Sequence, residues 1–309
     1  MVPVTVTDGS GRFVSGLTAD QFELSDEGSR RPLTQFSTER AAVSLGILLD
    51  ISGSMSSDPK APATDDARWA DTRRALELLV TRLDPRDEVL FAVFNEKVAL
   101  AAPWTQDHGR ILQAFSNVRP AGTTALFSAV SSIVPAFQVA QHERKAMLII
   151  SDGQDTTISK VRGFRPIPNK PLTPQQRLET EIYDGNIAAR GAIVSATKQV
   201  VSKSGAMLYA IGVGTRKGAD VNLVNLESLT KDSGGYVEEL REPSQIAAAI
   251  ARVCDDLQAQ YLLAFEPTRA DGKFHTITVR IKGRGLTART RTGYMAPAKD
   301  EKNEMKPDK

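Results

Sequence analysis

The run Val43-Ser44-Leu45-Gly46-Ile47-Leu48-Leu49 is apolar almost throughout and passes directly into Asp50-Ile51-Ser52-Gly53-Ser54. Such a run reads as a strand buried on both faces, which requires a sheet with cover above and below it. Its end delivers one carboxylate and two hydroxyls to a common point. A carboxylate at the mouth of a buried strand is costly to desolvate, and serine contributes only neutral oxygens, so the group suits a hard cation. Mg²⁺ or Mn²⁺ is the expected occupant.

Two later segments supply ligands of the same kind. Gly122-Thr123-Thr124-Ala125-Leu126 puts hydroxyls in a loop that opens a helix, and Ala146-Met147-Leu148-Ile149-Ile150-Ser151-Asp152-Gly153 repeats the design of an apolar strand ending in Asp and Gly. Asp50, Ser52 and Ser54, then Thr124, then Asp152 resemble, in order and in placement, the metal-ion-dependent adhesion site (MIDAS) of a von Willebrand factor type A (VWA) domain. The resemblance implies that these five residues are direct or water-mediated ligands. It favours Thr124 because the family's threonine sits immediately before a small residue and Leu, and Thr123 stays as the alternative. In such domains an Asp or Glu of another protein commonly fills the open metal position. A metal-dependent protein-binding or adhesion module is therefore expected. The alternative is a scaffold or assembly subunit with a vestigial metal site.

Composition narrows the remaining classes. The chain has 309 residues, enough for more than one domain, and a formal net charge of +2, so no bulk field is aimed at nucleic acid or an anionic membrane. The single Cys254 excludes an internal disulfide and a thiolate zinc site, and His108, His142 and His275 lie far apart in sequence. No apolar run approaches the roughly 20 residues of a spanning helix. Because Met1-Val2-Pro3-Val4 begins inside an apparent strand, an export signal is expected upstream and an extracytoplasmic location (periplasmic, secreted or surface-anchored) with it.

Alternation of apolar and polar residues predicts a β segment over 1–40. Over 41–258 apolar strands alternate with helical stretches, the pattern of an α/β fold with a mostly parallel sheet covered by helices. The expected strands are 43–49, 88–94, 146–151, 206–211 and 236–240, with an antiparallel edge at 97–101. The expected helices are 67–83, 107–116, 125–139, 187–204, 223–231 and 243–257. Strands return over 259–297, and the charged 298–309 is expected to be a disordered tail.

The flanking β segments, such as Pro3-Val4-Thr5-Val6-Thr7-Asp8 and Gly293-Tyr294-Met295-Ala296-Pro297, resemble those of the Acidobacteria-type VWFA-related bacterial proteins. That resemblance implies one sandwich-like module built from both chain ends around a Rossmann-like VWA domain. It leaves out 156–186, a basic stretch carrying Arg162, Arg165, Lys170 and Arg177, which reads as a long loop. The stretch is read as a solvated face, its functional alternative being to steer an acidic partner.

Other features have plain readings. Asp58, Asp65 and Asp66 fit a solvated loop rather than a second cation site, and Asp155 fits a loop cap, its alternative being to hold a metal-bound water. Trp69 and Trp104 are divided between partner anchors and core packing. His275 is expected at a surface or edge, and Cys254 in the core. A metal-dependent hydrolase is disfavoured: Asp50 lacks a second acid two residues on, there is no GxxxxGK[ST] loop, and no His falls in the motif segments.

Overall fold

A computed structural model of the chain describes residues 1–56, 67–159, 173–214 and 221–298. The expected tail, the centre of the expected 156–186 insert and Asp58, Asp65 and Asp66 lie outside these residues.

The amino-terminal part forms β1 (Val2–Thr7), β2 (Phe22–Asp26), β3 (Ser29–Arg31) and β4 (Leu33–Ser37). The α/β part follows with β5 (Val43–Asp50), α1 (Ala67–Arg82), β6 (Glu88–Phe94), β7 (Val98–Thr105), α2 (Gly109–Ser116), α3 (Leu126–Ile133) and β8 (Arg144–Ser151). It continues through α4 (Thr156–Ser159), α5 (Pro174–Ser204), β9 (Met207–Val213), α6 (Leu223–Thr230), β10 (Val237–Leu240) and α7 (Ile246–Gln258). The chain then returns to strands β11 (Tyr261–Phe265), β12 (Phe274–Ile281), β13 (Thr287–Arg289) and β14 (Gly293–Met295).

A six-stranded sheet in the order β10-β9-β8-β5-β6-β7 centres the α/β part. All its pairings are parallel except that of β7, an antiparallel edge strand. Every residue of β5 is buried, because both faces of the sheet are covered. Leu45, Ile47 and Leu49 join a core with α1, α2 and α7, while Leu48 faces α3, α5 and α6 in a second core.

The two chain ends pair to make a separate β module. Strand β1 lies between β11 and β13, with Val4 opposite Tyr261 and Val6 opposite Ala288. The sheets β13-β1-β11-β4 and β14-β12-β2-β3 contribute Val4, Leu24, Leu263 and Ile277 to one core.

Three expectations need correction. The long helix opens at Pro174 rather than 187, because Thr173 caps it, accepting from Gln176 N while Gln176 reaches back. The helix expected over 125–139 ends at Ile133 and tightens into a 3₁₀ turn, Val134–Val139, around Pro135. His275 is buried rather than at the surface, since the period of β12 puts it on the same face as Ile277 and Val279. Its Nε2 meets Asp271 Oδ1 at 3.1 Å. Cys254 is buried in the core, as expected.

Candidate metal centre

Strand β5 ends on Asp50, which is fully buried. Its Oδ1 accepts the Ser52 N–H at 2.8 Å, and its Oδ2 accepts the Ser151 hydroxyl at 2.6 Å from the end of the adjacent β8. Beyond Ser52 the chain makes a 3₁₀ turn, Gly53–Met55, anchored by buried Met55. That turn brings Ser52 Oγ and Ser54 Oγ to 3.0 Å of each other.

The second loop is laced to the first through backbone hydrogen bonds. Ala121 N donates to Ile51 O at 2.7 Å and Gly53 N to Gly122 O at 3.0 Å. Gly122 has φ of 83°, and the Glu96 carboxylate occupies the space a Cβ would need. Glu96 in turn accepts the Thr123 N–H at 3.0 Å. Thr123 is exposed while Thr124 is buried next to the ends of β5 and β8.

Asp152 brings in the third loop. It is buried, Gln154 N donates to its Oδ1 at 2.9 Å, and Asn222 N donates to its carbonyl at 2.8 Å. Gly153 follows with φ of 73°, and a Cβ there would sit 2.6 Å from Asn222 O, so no other residue fits without displacing backbone. Within the described residues no hydrogen bond engages Oδ2 of Asp152 or Oγ1 of Thr124.

Asp155 and Thr156 stitch the second and third loops together. Phe127 N, in the first turn of α3, donates to Asp155 Oδ2 at 3.0 Å, and Thr156 N donates to Thr124 O at 2.8 Å. Asp155 therefore caps a helix 28 positions back rather than only its own loop. Sequence reasoning missed this reach, together with the parts played by Ser151 and Thr156. Asp155→Ala is expected to cost about 1–2 kcal/mol, the scale of a lost helix cap, measured by urea unfolding. A change within experimental error would show that α3 does not depend on it.

The electrostatics are those of a site short of positive charge. Burial pushes the Asp50 carboxyl up to about 7; hydrogen bonds from Ser151 and Ser52 oppose the rise and the charge of Asp152 adds to it. Among the described residues neither Asp50 nor Asp152 makes an ion pair. Two carboxylates with hydroxyls from Ser52, Ser54 and Thr124 make an all-oxygen donor set, which fits a hard divalent cation. Consistent with that composition, no group of three or more His, Cys, Asp or Glu side chains among the described residues is placed to hold a metal.

The two tryptophans belong to the core. Trp69 is buried and stacks on Phe115 at 4.9 Å. Trp104 packs edge-on to Phe137 at 5.2 Å and donates Nε1–H to Ala136 O at 3.0 Å.

A mostly parallel sheet covered on both faces, with acids and hydroxyls gathered at its carboxyl edge, defines a Rossmann-like α/β domain. Residues 45–154 match the von Willebrand factor type A domain model. A von Willebrand factor type A structure from Catenulispora acidiphila is similar over 97% of this chain and 74% of its own, at 12% identity and a TM-score of 0.52. The PilB minor pilin of Streptococcus sanguinis is similar over 71% of this chain and 62% of its own, at 14% identity and a TM-score of 0.50. No curated protein matches the sequence. The family is often involved in protein–protein interaction and adhesion.

Proposed function

We propose that the protein is a metal-dependent recognition module in which Asp50, Ser52, Ser54, Thr124 and Asp152 hold Mg²⁺ or Mn²⁺ and a protein partner presents an Asp or Glu to the site. The observation that carries this reading is the pairing of two buried, uncompensated carboxylates with three hydroxyl-bearing residues on loops tied to one another. When bound, the cation would supply the missing positive charge and an electrophilic position for an acidic ligand. Ser151 and the Ser52 N–H orient Asp50, and the Gln154 N–H orients Asp152.

A binding role rather than hydrolysis is supported by where the histidines are engaged. His108 and His142 each meet a backbone carbonyl, of Asp87 and Arg86, at 2.8 Å, and His275 lies in the β module. No helix among the described residues is long and apolar enough to cross a membrane. An extracytoplasmic location is part of the proposal, and its test is cell fractionation with an antibody to the chain: recovery only from the cytoplasm would refute it.

The deciding experiment is calorimetric titration of metal-stripped protein with Mg²⁺ and Mn²⁺, repeated for Asp152→Ala. Saturable binding by the wild type, weakened at least tenfold in the variant and tightened by a small carboxylate, is expected. Equal metal affinity in the two proteins would overturn the site assignment. Partner binding that survives EDTA would favour a metal-independent scaffold instead.

A further inference from the structure

At the amino edge of the six-stranded sheet, opposite the edge bearing Asp50 and Asp152, the 3₁₀ turn Val134–Val139 and the last turn of α5 part over the start of β8. They leave a cavity of about 330 Å³. Val134, Pro135, Phe137 and Val200 give it an apolar wall, and its charged residues are Lys145 and Lys203. Among the described residues no acid lines it and neither lysine makes an ion pair.

The local sequence explains why cations and apolar wall meet here. Strand alternation puts Lys145 on the same face as Met147 and Ile149, which are packed in the core that includes Phe137. Lys145 is the position at which that face leaves the core, where an aliphatic stem can lie on apolar surface below a solvated ammonium. Lys203 stands in the last turn of α5, on the other side of the opening.

We propose that this cavity binds a small aliphatic carboxylate, its hydrocarbon chain against Val134, Phe137 and Val200 and its carboxylate held by Lys145 and Lys203. The volume is at the lower end of small-molecule sites and suits a single short chain rather than a folded partner. The apolar wall favours an alkyl body. Two cations without acidic neighbours select an anionic head over a neutral one. This site is separate from the metal centre, and no metal takes part in it.

The test is calorimetric titration of the full chain with octanoate in the presence of EDTA, alongside acetate and 1-octanol. Octanoate should bind saturably at one site, and acetate, which lacks the chain, and octanol, which lacks the charge, at least tenfold more weakly. The double variant Lys145→Gln/Lys203→Gln should lose at least tenfold in octanoate affinity, while Asp152→Ala should retain it. Should the double variant fold poorly by circular dichroism, the single exposed change Lys203→Gln should still weaken octanoate at least threefold. Absence of saturable octanoate binding, equal binding of octanol, or lysine variants with wild-type affinity would each overturn the proposal. Loss of octanoate binding in Asp152→Ala would do so as well, by moving the carboxylate to the other edge of the sheet.

Discussion

Asp256→Ala is expected to remove about 3–5 kcal/mol of stability, the range for stripping one partner from a buried ion pair. Asp256 lies on α7 and is fully buried. One oxygen accepts the Tyr209 hydroxyl of β9 and the other an Arg289 N–H of β13, each at 2.6 Å. Burial, followed by the charge of Asp256, raises the Tyr209 phenol well above its ordinary range and keeps it a donor. The Arg289 guanidinium also lies over the Tyr236 ring at 5.0 Å and donates to Gly234 O. Gln260, at the exit from α7, donates to the Tyr209 oxygen at 3.1 Å and accepts from Arg144 at 2.8 Å. With alanine at 256, a phenol and a guanidinium lose their acceptor together.

The same carboxylate joins the two structural units, since Arg289 belongs to the β module while Asp256 and Tyr209 belong to the α/β part. Urea unfolding of Asp256→Ala, Arg289→Ala and the double variant should yield a coupling energy of about 1 kcal/mol or more. A loss below about 1 kcal/mol for Asp256→Ala would mean that the joint is held by apolar packing alone.

Patterns that depend on near neighbours in sequence were legible; arrangements that depend on loops meeting were not. Strand β6 runs over the residues its apolar pattern predicts, and β5 extends one residue further, to Asp50, because a strand buried on both faces has almost no polar position inside it. The opening of α5 was written in Thr173-Pro174-Gln175-Gln176, a capping signal with proline in the first turn, but the basic and proline-rich residues before it suggested one long loop. His275 was also legible in principle, since it falls on the parity of Ile277 and Val279 along an alternating strand. The five candidate ligands could be chosen because three short motifs, after β5, before α3 and at the end of β8, together resemble the metal-ion-dependent adhesion site. The residues that hold them could not, since Asp50 with Ser151 and Thr124 with Thr156 are separated by 101 and 32 positions. Such pairs are set by the path of the loops, which periodicity does not encode.

In the metal-free protein, Asp50→Asn is expected to raise stability at pH 8 and to leave it almost unchanged near pH 4. Burial moves the Asp50 carboxyl from its ordinary 3.8 to about 7 in the folded chain. Between those values the folded state holds a proton that the unfolded state has released, so stability falls as pH rises through this window and is level above it. Three pH units correspond to at most about 4 kcal/mol. Asparagine cannot ionise, keeps a carbonyl oxygen for the Ser52 N–H and offers an amide donor to the Ser151 hydroxyl, so its curve lacks this fall. Asp84, whose carboxyl is held low chiefly by hydrogen bonds from Arg86, pulls the other way as pH falls, and the difference between wild type and variant cancels that contribution. Urea midpoints measured in EDTA from pH 4 to pH 8 give this difference directly. In the wild type, Mg²⁺ should then raise the melting temperature more at pH 8 than at pH 5.5, because at the lower pH metal and proton compete for the same carboxylate. In Asp50→Asn the Mg²⁺ effect should be small at both. Parallel stability curves for the two proteins in EDTA would mean that Asp50 is not strained by burial and that the site does not need a cation to balance it.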